Sequence, residues 1–269
     1  MAEIRLGTSG FTAEGWEGSF YLPGMKATDY LSYYATQFDT VELETTFYGT
    51  PPISTVKGWE AKTRSGFLFS AKVPRVITHE KVLVDCDDDL TKFLRTMDAL
   101  GDKLGPLLFQ FGYFNSSAFK SQAEFLARLK PFLQKLPKGY QFAVEIRNKH
   151  WLDARLTDLL REHGVALALI DQSWVPRPWE MKRKLDLATS DFVYVRWLGD
   201  RKAIEEVTKT WEKTLIDRRA DLKNWTELLW RLVLDKQIRK LIAYANNHYA
   251  GHSPTTVKLF REMWDEKNR

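Results

Sequence analysis

The sequence predicts a single (β/α)8 barrel of the TIM-barrel type, and three observations favour this α/β fold. Eight apolar stretches rich in strand-forming residues recur along the 269 residues, and a segment long enough for a helix follows each of them. Most of these stretches end in charged or amide side chains, as strands do at the active-site end of such a barrel. Apolar and charged residues also alternate within several stretches, which gives those strands one face for the helices and one for the barrel interior.

The eight strands are predicted, in chain order, at Ile4 to Ser9, Thr40 to Phe47, Phe67 to Pro74, Pro106 to Phe111, Gln141 to Arg147, Val165 to Asp171, Phe192 to Leu198 and Ile238 to Asn247. The alternation is clearest in the fifth stretch, where Glu145 and Arg147 share one face and the opposite face is apolar. Lys72 in the third stretch and Arg196 in the seventh take the same inward position. The sixth stretch fits less well, because Asp171 has the parity of the outward face, and we assume that the strand bends before it.

The segments between the strands carry helix signals of different strength. Thr28 and Asp29 begin a helix that runs through Phe38, and the acidic run Asp87 to Asp89 suits the positive end of a third helix. The longest amphipathic stripe extends from Ile204 to Val233, which predicts one core-packed helix or two helices in series.

Length and composition are compatible with one domain over residues 1–269. The hydrophobic fraction of 44% can fill a barrel of about 250 residues, and no linker rich in Pro, Gly or Ser separates the two halves. Cys86 is the single cysteine, which precludes an intramolecular disulfide and suits a reducing compartment. Since we find no signal peptide and no apolar run of roughly 18 residues, we expect a soluble, cytoplasmic protein without a membrane partner.

The charge balance favours anionic partners in general. The formal net charge is +5 and the isoelectric point is about 9.1. Such a balance does not choose among phosphorylated metabolites, nucleic acid and simple solubility.

Six charged residues with inward parity form the candidate catalytic network: Glu42, Glu44, Glu145, Lys72, Arg147 and Arg196. Charges inside a barrel must pair or contact a ligand, since an isolated buried charge costs several kcal/mol. Glu145 or Glu42 would then serve as general acid or base, beside a catalytic Lys72. Arg147 and Arg196 would hold an anionic substrate. The alternative is an internal salt-bridge layer that only stabilises the barrel.

Substrate binding is predicted for residues at the strand ends and in the loops that follow them: Ser9, Trp16, Gln110, Arg147, Asp171, Arg196, Asn246, Asn247 and Ser253. Trp16 belongs to an aromatic-rich loop, residues 10–24, which either stacks on a ligand or plugs the top of the barrel. Ser253 as N-cap and Pro254 at the first helical position would offer backbone N–H groups to an anion, although the same pair suits ordinary capping without a ligand.

The histidines decide what we expect of metals and acid–base chemistry. His248 and His252 have a spacing that suggests a metal pair, but Gly251 and Pro254 oppose the continuous helix that would bring the two rings together. We therefore expect no metal and no cofactor, and a divalent metal is the alternative. His79 follows the third strand and is a further predicted catalytic residue, as an acid, a base or an anion contact. A structural histidine bonded to a backbone carbonyl is the other interpretation of His79.

A series of short motifs runs along the chain in a specific order: Gly7-Thr8-Ser9-Gly10, Trp16, Val41-Glu42, Ala71-Lys72, Phe109-Gln110, Ala143-Val144-Glu145 and Tyr194-Val195-Arg196. Their order and spacing resemble the YecE-like family, catalogued as domain of unknown function 72, over nearly the whole chain. The resemblance implies a TIM-barrel-like fold with a polar pocket at its C-terminal face, but it implies no reaction, because the family has no settled biochemical role. Phe11 departs from the family's usual Trp, and His248 stands where an acidic residue commonly follows the paired Asn.

Three functions are compatible with these patterns. The leading hypothesis is an enzyme that binds an anionic or phosphorylated small molecule at the barrel mouth and uses glutamate acid–base chemistry, with hydrolase, lyase and isomerase all open. The second is a nucleic-acid-binding protein, or a nucleic-acid-processing protein of the phosphodiesterase type, that uses the basic surface and the loop around Trp16. The third is a scaffold that binds a ligand without catalysis. The sequence leaves the oligomeric state open.

Overall fold

A computed structural model describes residues 2–235 and 238–268 of the chain. Eight parallel strands close into a barrel in the order of the sequence, with β8 paired to β1. This confirms the predicted (β/α)8 fold. The extension of one domain over all of 1–269 stays a prediction, and residues 1, 236, 237 and 269 lie outside the described ranges. The strands are β1 (Glu3–Ser9), β2 (Thr40–Leu43), β3 (Leu68–Lys72), β4 (Leu104–Gln110), β5 (Phe142–Glu145), β6 (Ala166–Gln172), β7 (Phe192–Gly199) and β8 (Lys240–Ala245).

Helices follow the strands and cover the outside of the barrel. Outward side chains such as Phe69, Val144 and Val195 are fully buried between the sheet and this helical layer. Burial of such apolar surface contributes about 25 cal/mol per Å² and is the main stabilising term of the fold. None of the helices in the described ranges combines the length and the apolar character that a membrane crossing requires. The helices are α1 (Tyr30–Gln37), α2 (Ile53–Ala61), α3 (Asp87–Met97), α4 (Gln122–Lys135), α5 (Ala154–Glu162), α6 (Pro178–Met181), α7 (Arg201–Glu205), α8 (Arg219–Asp235), α9 (Asn247–Ala250) and α10 (Ser253–Lys267).

The barrel interior is filled by side chains below its mouth. Ala143 and Tyr194 belong to a fully buried inner cluster, and the Tyr244 hydroxyl lies 2.7 Å from both Thr40 Oγ1 and Ser70 Oγ. On β5 and β7, the charged inward residue is the next inward position after this layer. The charged side chains therefore lie at the carboxyl ends of the strands, where barrel enzymes have their active sites.

The second strand is shorter than the predicted Thr40 to Phe47. β2 ends at Leu43, and the chain turns into a 3-10 helix at Thr45–Tyr48. Thr46 Oγ1 donates to the carbonyl oxygens of Leu43 at 2.8 Å and Lys72 at 2.7 Å, which fixes this turn against β3. The turn brings Glu44 to the barrel mouth.

The stripe from Ile204 to Val233 forms two helices, α7 and α8, rather than one. Trp211 lies in the connection between them, where its backbone N–H donates to Glu14 O at 2.9 Å and its ring meets the His248 ring at 4.9 Å between centroids. Contacts with the loops after β1 and β8 therefore interrupt the helix that local periodicity favours.

The assumed bend in the sixth strand is wrong. The pairing of β6 with β7 stays in register through Asp171, and the ladder shifts only between Asp171 and Gln172, so Asp171 points outward into the helical layer. Its Oδ2 atom accepts from Trp225 Nε1 at 2.8 Å and from the Tyr249 hydroxyl at 3.1 Å, and its carboxylate also pairs with Arg177. Asp171 thus connects the barrel to its helical layer through hydrogen bonds. Gln172 is the residue of β6 that faces the barrel mouth.

Candidate functional site

Arg196 on β7 is the centre of the charged network at the barrel mouth. Its residue is 1% exposed, and its guanidinium group donates to three carboxylates. Arg196 Nε lies 2.8 Å from Glu42 Oε1, and Nη2 lies 2.7 Å from Glu44 Oε1. Arg196 Nη1 lies 2.7 Å from Glu145 Oε2. Burial opposes the charged form, but the carboxylates, Glu42 first, hold the pKa of Arg196 well above its usual value.

Glu42 and Glu145 are sealed beneath the mouth. Both are 0% exposed, so neither carboxylate can meet a ligand in the present conformation. Glu42 also accepts hydrogen bonds from Ser9 Oγ at 2.9 Å and from the Tyr194 hydroxyl at 2.7 Å. Glu145 Oε1 accepts from Arg147 Nε at 2.8 Å. This arrangement corresponds to the salt-bridge layer that the sequence left as an alternative, and the catalytic assignment of the two glutamates stays a prediction.

Glu145 stays ionised because of its neighbours. Burial, the largest single influence, would raise the pKa of Glu145, but the charges of Arg196, Arg147 and Lys72 together lower the pKa to about 2. A carboxylate with so low a pKa is a weak proton acceptor near neutral pH. The electrostatics therefore favour a structural role for this residue.

A cavity of about 260 Å³, the mouth cavity, opens above this network. Glu44 is the carboxylate of its lining, and the Glu44 side chain is 36% exposed. Glu44 thus combines access to the cavity with the fixed position that Arg196 imposes. The lining consists of Glu44, Phe47, Tyr48, Lys72, Gln110, Arg147, Gln172, Arg196, Leu198, Gly199, Arg201, Asn246 and His248.

Lys72 gives the mouth cavity a positive charge that is only loosely paired. The residue is 8% exposed, and its Nζ atom lies 3.8 Å from Glu44 Oε1 and 4.4 Å from the centre of the Phe47 ring. Burial and then the charge of Arg196 lower the pKa of Lys72. An ammonium group with no closer carboxylate would be stabilised by an anionic ligand, whose charge would offset the hydration that the group lost on burial.

Three amide side chains, those of Gln110, Gln172 and Asn246, also line the mouth cavity. Gln110 and Gln172 are each 5% exposed. The Oε1 atom of Gln172 is buried and has no hydrogen-bond partner within the described chain. A buried acceptor left in this state costs roughly 1–3 kcal/mol, so a donor on a ligand would stabilise it. The amides therefore favour a ligand that carries hydroxyl groups.

His248 forms part of the rim of the mouth cavity. Its Nε2 atom lies 3.0 Å from Glu205 Oε1, and its Nδ1 atom contacts Asn246 Oδ1. Gly199 permits this packing, because its φ is +70° and an added Cβ would lie 2.3 Å from the His248 carbonyl oxygen. Burial is the main cause that lowers the pKa of His248, so the ring is largely neutral near pH 7.

His248 and His252, the pair weighed for a divalent metal, are engaged separately. His252 Nδ1 lies 2.7 Å from Thr255 Oγ1 and accepts from the Thr255 backbone N–H, which makes His252 the N-cap of α10. Within residues 2–235 and 238–268, no three His, Cys, Asp or Glu side chains are grouped as a metal site requires. The absence of a cofactor stays a prediction.

The turn that precedes α10 uses the backbone N–H groups of Ser253 and Thr255 for acceptors of the protein. Ser253 is the first residue of α10 rather than its N-cap, and the prediction of an N-cap there is wrong. The backbone N–H and the Oγ of Ser253 both donate to Asn247 Oδ1, at 2.9 and 2.8 Å. Asn247 and Ser253 thus satisfy each other outside the mouth cavity, and substrate binding by either residue stays a prediction.

Trp16 and His79 do not belong to the lining of the mouth cavity, and a catalytic role of His79 stays a prediction. Trp16 is 1% exposed, and its ring packs against Phe20 and Tyr21 at centroid distances of 5.4 and 6.1 Å. The Phe20 ring stacks in turn on Phe38 at 5.6 Å, at the end of α1. This loop therefore packs against the outer helical layer, and substrate binding by Trp16 stays a prediction. His79 packs edge-on against Phe47 at 5.0 Å, on a ring that also contacts Lys72. Ser9 reaches the site indirectly, through its hydrogen bond to Glu42.

Several lining residues were missed by the sequence reasoning. Glu44 was recognised as inward but not selected, although it has the same parity as Glu42. Gln172 has the parity of Ile170 and was hidden by the assumed bend in the sixth strand. His248 was weighed only as half of a metal pair, and the loop with Arg201 only as added positive charge near the turn after the eighth strand, so neither residue was selected for this site.

Comparison with known proteins identifies relatives over the whole chain. A family model described as "Protein of unknown function DUF72" matches residues 5–269. The UPF0759 protein YecE of Escherichia coli (strain K12) is 31% identical over 146 residues, which are 52% of this chain and about half, 52%, of that relative. The UPF0759 protein YunF of Bacillus subtilis (strain 168) is 28% identical over 273 residues, which cover 95% of this chain and 94% of that protein. A crystal structure of a DUF72 family protein from Thermotoga maritima matches with a TM-score of 0.74 and 26% identity, covering 98% of this chain and 99% of that one.

Proposed function

The chain belongs to the DUF72 family of proteins of unknown function, and we propose that it is an enzyme acting on a phosphorylated, hydroxyl-rich small molecule in the mouth cavity. The observation that carries the proposal is one cavity wall that joins an accessible carboxylate, Glu44, to the loosely paired ammonium of Lys72. Barrel enzymes place their reacting groups at this end of the strands.

The anionic part of the substrate is assigned to Lys72 and Arg147. Arg147 uses Nε for its hydrogen bond to Glu145, and its side chain is 24% exposed, so the end of the guanidinium group faces the cavity. A planar fork of N–H donors suits a phosphate, and Lys72 adds a second positive charge. Arg196 contributes little directly, since its donors are taken by carboxylates.

The hydroxyl-bearing part is assigned to the amide side chains. Gln172 has a buried acceptor without a partner in the described chain, and Gln110 and Asn246 lie in the same lining. Amide groups donate and accept at once, as sugar hydroxyls do. This chemistry favours a phosphorylated sugar over a phosphate ester that lacks hydroxyl groups.

Glu44 is assigned as the general acid or base. Arg196 holds Glu44 Oε1 at 2.7 Å, which fixes the carboxylate without sealing it from the cavity. Such a group could take a proton from a substrate carbon or hydroxyl, or return one to it. Proton transfer of this kind is common to isomerisation, elimination and hydrolysis.

A panel of sugar phosphates, followed by proton and phosphorus NMR with the full chain, tests the proposal. We expect turnover of at least one member, loss of that turnover by 100-fold or more in Glu44→Gln, and an unchanged rate in Glu80→Gln. Glu80 is a matched control because it is an exposed carboxylate that pairs with Arg75 outside the cavity lining. Binding without turnover across the panel, or full activity in Glu44→Gln, would contradict the assignment.

A further inference from the structure

The exposed aromatic side chains of this protein are concentrated at one place. Within the described ranges, Tyr48, Tyr113 and Trp174 are the exposed Tyr, Trp and Phe side chains, at 77%, 71% and 48%. All three line cavities at the barrel mouth. Exposed rings are costly in water, and their grouping beside a candidate site marks a surface that packs on a ligand.

Tyr113 and Trp174 line a second cavity of about 380 Å³, which we call the aryl cavity. Its walls are the loops after β4, β5 and β6. Phe114 and Trp151 form an apolar part of the lining, where their rings stack at 6.1 Å with an interplanar angle of 26°. Neither Tyr113 nor Trp174 packs its ring on another aromatic ring in the described chain, and at 71% and 48% exposure both rings are accessible to a flat ligand.

The charge of the aryl cavity has one sign. Lys120, Arg147 and Lys149 line it, and no carboxylate of the described residues does. This differs from the mouth cavity, where Glu44 offsets part of the positive charge. Arg147 also pairs with Glu145 behind the lining, whereas Lys120 and Lys149 form no ion pair with a carboxylate of the described residues. An aromatic surface lined by cations favours a ligand that is both flat and anionic.

Arg147 lines both cavities and connects them. We propose that the aryl cavity binds the nucleobase of a nucleoside monophosphate, whose phosphate lies at Arg147 and Lys72 on the side of the mouth cavity and whose ribose spans the two cavities. This rests on the proposed function, because the phosphate site is shared, and it narrows the substrate class from sugar phosphates to nucleoside phosphates. The base would stack on Trp174 and Tyr113, and Lys120 and Lys149 would add to the attraction for phosphate.

Calorimetric titration of the full chain with AMP and with ribose 5-phosphate tests the inference, since the two probes differ in the base. We expect AMP to bind about tenfold more tightly than ribose 5-phosphate. Trp174→Ala and Tyr113→Ala should remove this difference and leave the affinity for ribose 5-phosphate unchanged. Val207→Ala is the control, because Val207 is 73% exposed and lines neither cavity.

Lys72→Met separates the inference from the proposed function, because Lys72 lines only the mouth cavity. Suppose that Lys72→Met weakens the binding of both probes and that AMP binds the unaltered chain no more tightly than ribose 5-phosphate. This result would contradict nucleobase binding in the aryl cavity and would support phosphate binding in the mouth cavity. AMP binding that depends on Trp174 but not on Lys72 would instead contradict the proposed phosphate site in the mouth cavity. A single-stranded oligonucleotide that binds more than 100-fold tighter than AMP, with a steep salt dependence, would replace the nucleoside phosphate by a nucleic-acid strand.

Discussion

The floor and the wall of the barrel mouth contain the same residue types with opposite properties. In the floor, Glu42 and Glu145 are fully buried and their carboxylates accept hydrogen bonds from donors of the protein. In the wall, Glu44 is 36% exposed and Lys72 has its nearest carboxylate at 3.8 Å. The difference teaches that charge at a strand end is not enough to assign chemistry, because access and spare hydrogen-bonding capacity decide which charges can meet a substrate.

The two regions also depend on each other. Arg196 links them, since one guanidinium group holds both floor carboxylates and the wall carboxylate. The floor thereby fixes the position of Glu44, and satisfied buried charges give it a rigid support. Changes in the floor should therefore act on stability, and changes in the wall on binding and turnover.

The largest effect is expected for Arg196→Met. The substitution leaves Glu42 and Glu145 buried without their main partner, which should lower the free energy of unfolding by about 5 kcal/mol, measured by urea denaturation. Arg201→Met is the control, since Arg201 is 73% exposed and its pair with Glu205 should contribute less than about 1 kcal/mol. Equal losses of unfolding free energy in the two variants would show that Arg196 in the floor stabilises the fold no more than an arginine on the surface.

The second-largest loss of stability is expected at low pH, through Glu145 in the floor. The folded pKa of Glu145, about 2, lies below its ordinary value of 4.5, so its ionisation stabilises the fold above pH 4.5 and this contribution is lost as the pH falls toward 2. The loss should be about 3 kcal/mol, measured as the shift of the urea midpoint across this window. Glu145→Gln should have a smaller slope there, and an unchanged slope would show that other carboxylates dominate.

Asp171→Ala should have an intermediate effect, although this residue faces the helices. Loss of its hydrogen bonds to Trp225 and Tyr249 should cost about 1–3 kcal/mol in thermal or urea unfolding. The affinity for ribose 5-phosphate should not change, because Asp171 lines neither cavity. Weaker binding of ribose 5-phosphate at unchanged stability would instead support the prediction that Asp171 binds substrate.

The smallest change in stability is expected for Glu44→Gln. Its carboxylate is partly solvated, and Gln keeps the shape of the side chain, so the free energy of unfolding should fall by less than about 1 kcal/mol. Turnover should nevertheless be lost, as the proposed function requires. Glu145→Gln is the comparison, with a larger loss of stability and, if its buried carboxylate does no chemistry, residual turnover in the folded fraction.

The candidate site was predictable only in part. Inward parity placed Glu42, Lys72, Glu145 and Arg196 at one end of the barrel, and the structure brings these four residues together. Parity could not rank them by depth, because the burial of each side chain depends on the turn after β2 and on side chains from other strands. It also placed Asp171 correctly outward, and the added assumption of a bend was the error.

The sequence alone determined the barrel and the face of each strand residue, since the alternation of side chains is a local property of extended backbone and the apolar stretches recur visibly. Tertiary structure decided everything that depends on distance between strands. Which carboxylate is sealed, which lines a cavity, and that Arg147 connects two cavities all follow from the closure of the sheet and from loop packing. Those contacts join residues far apart in the chain, and no local pattern encodes them.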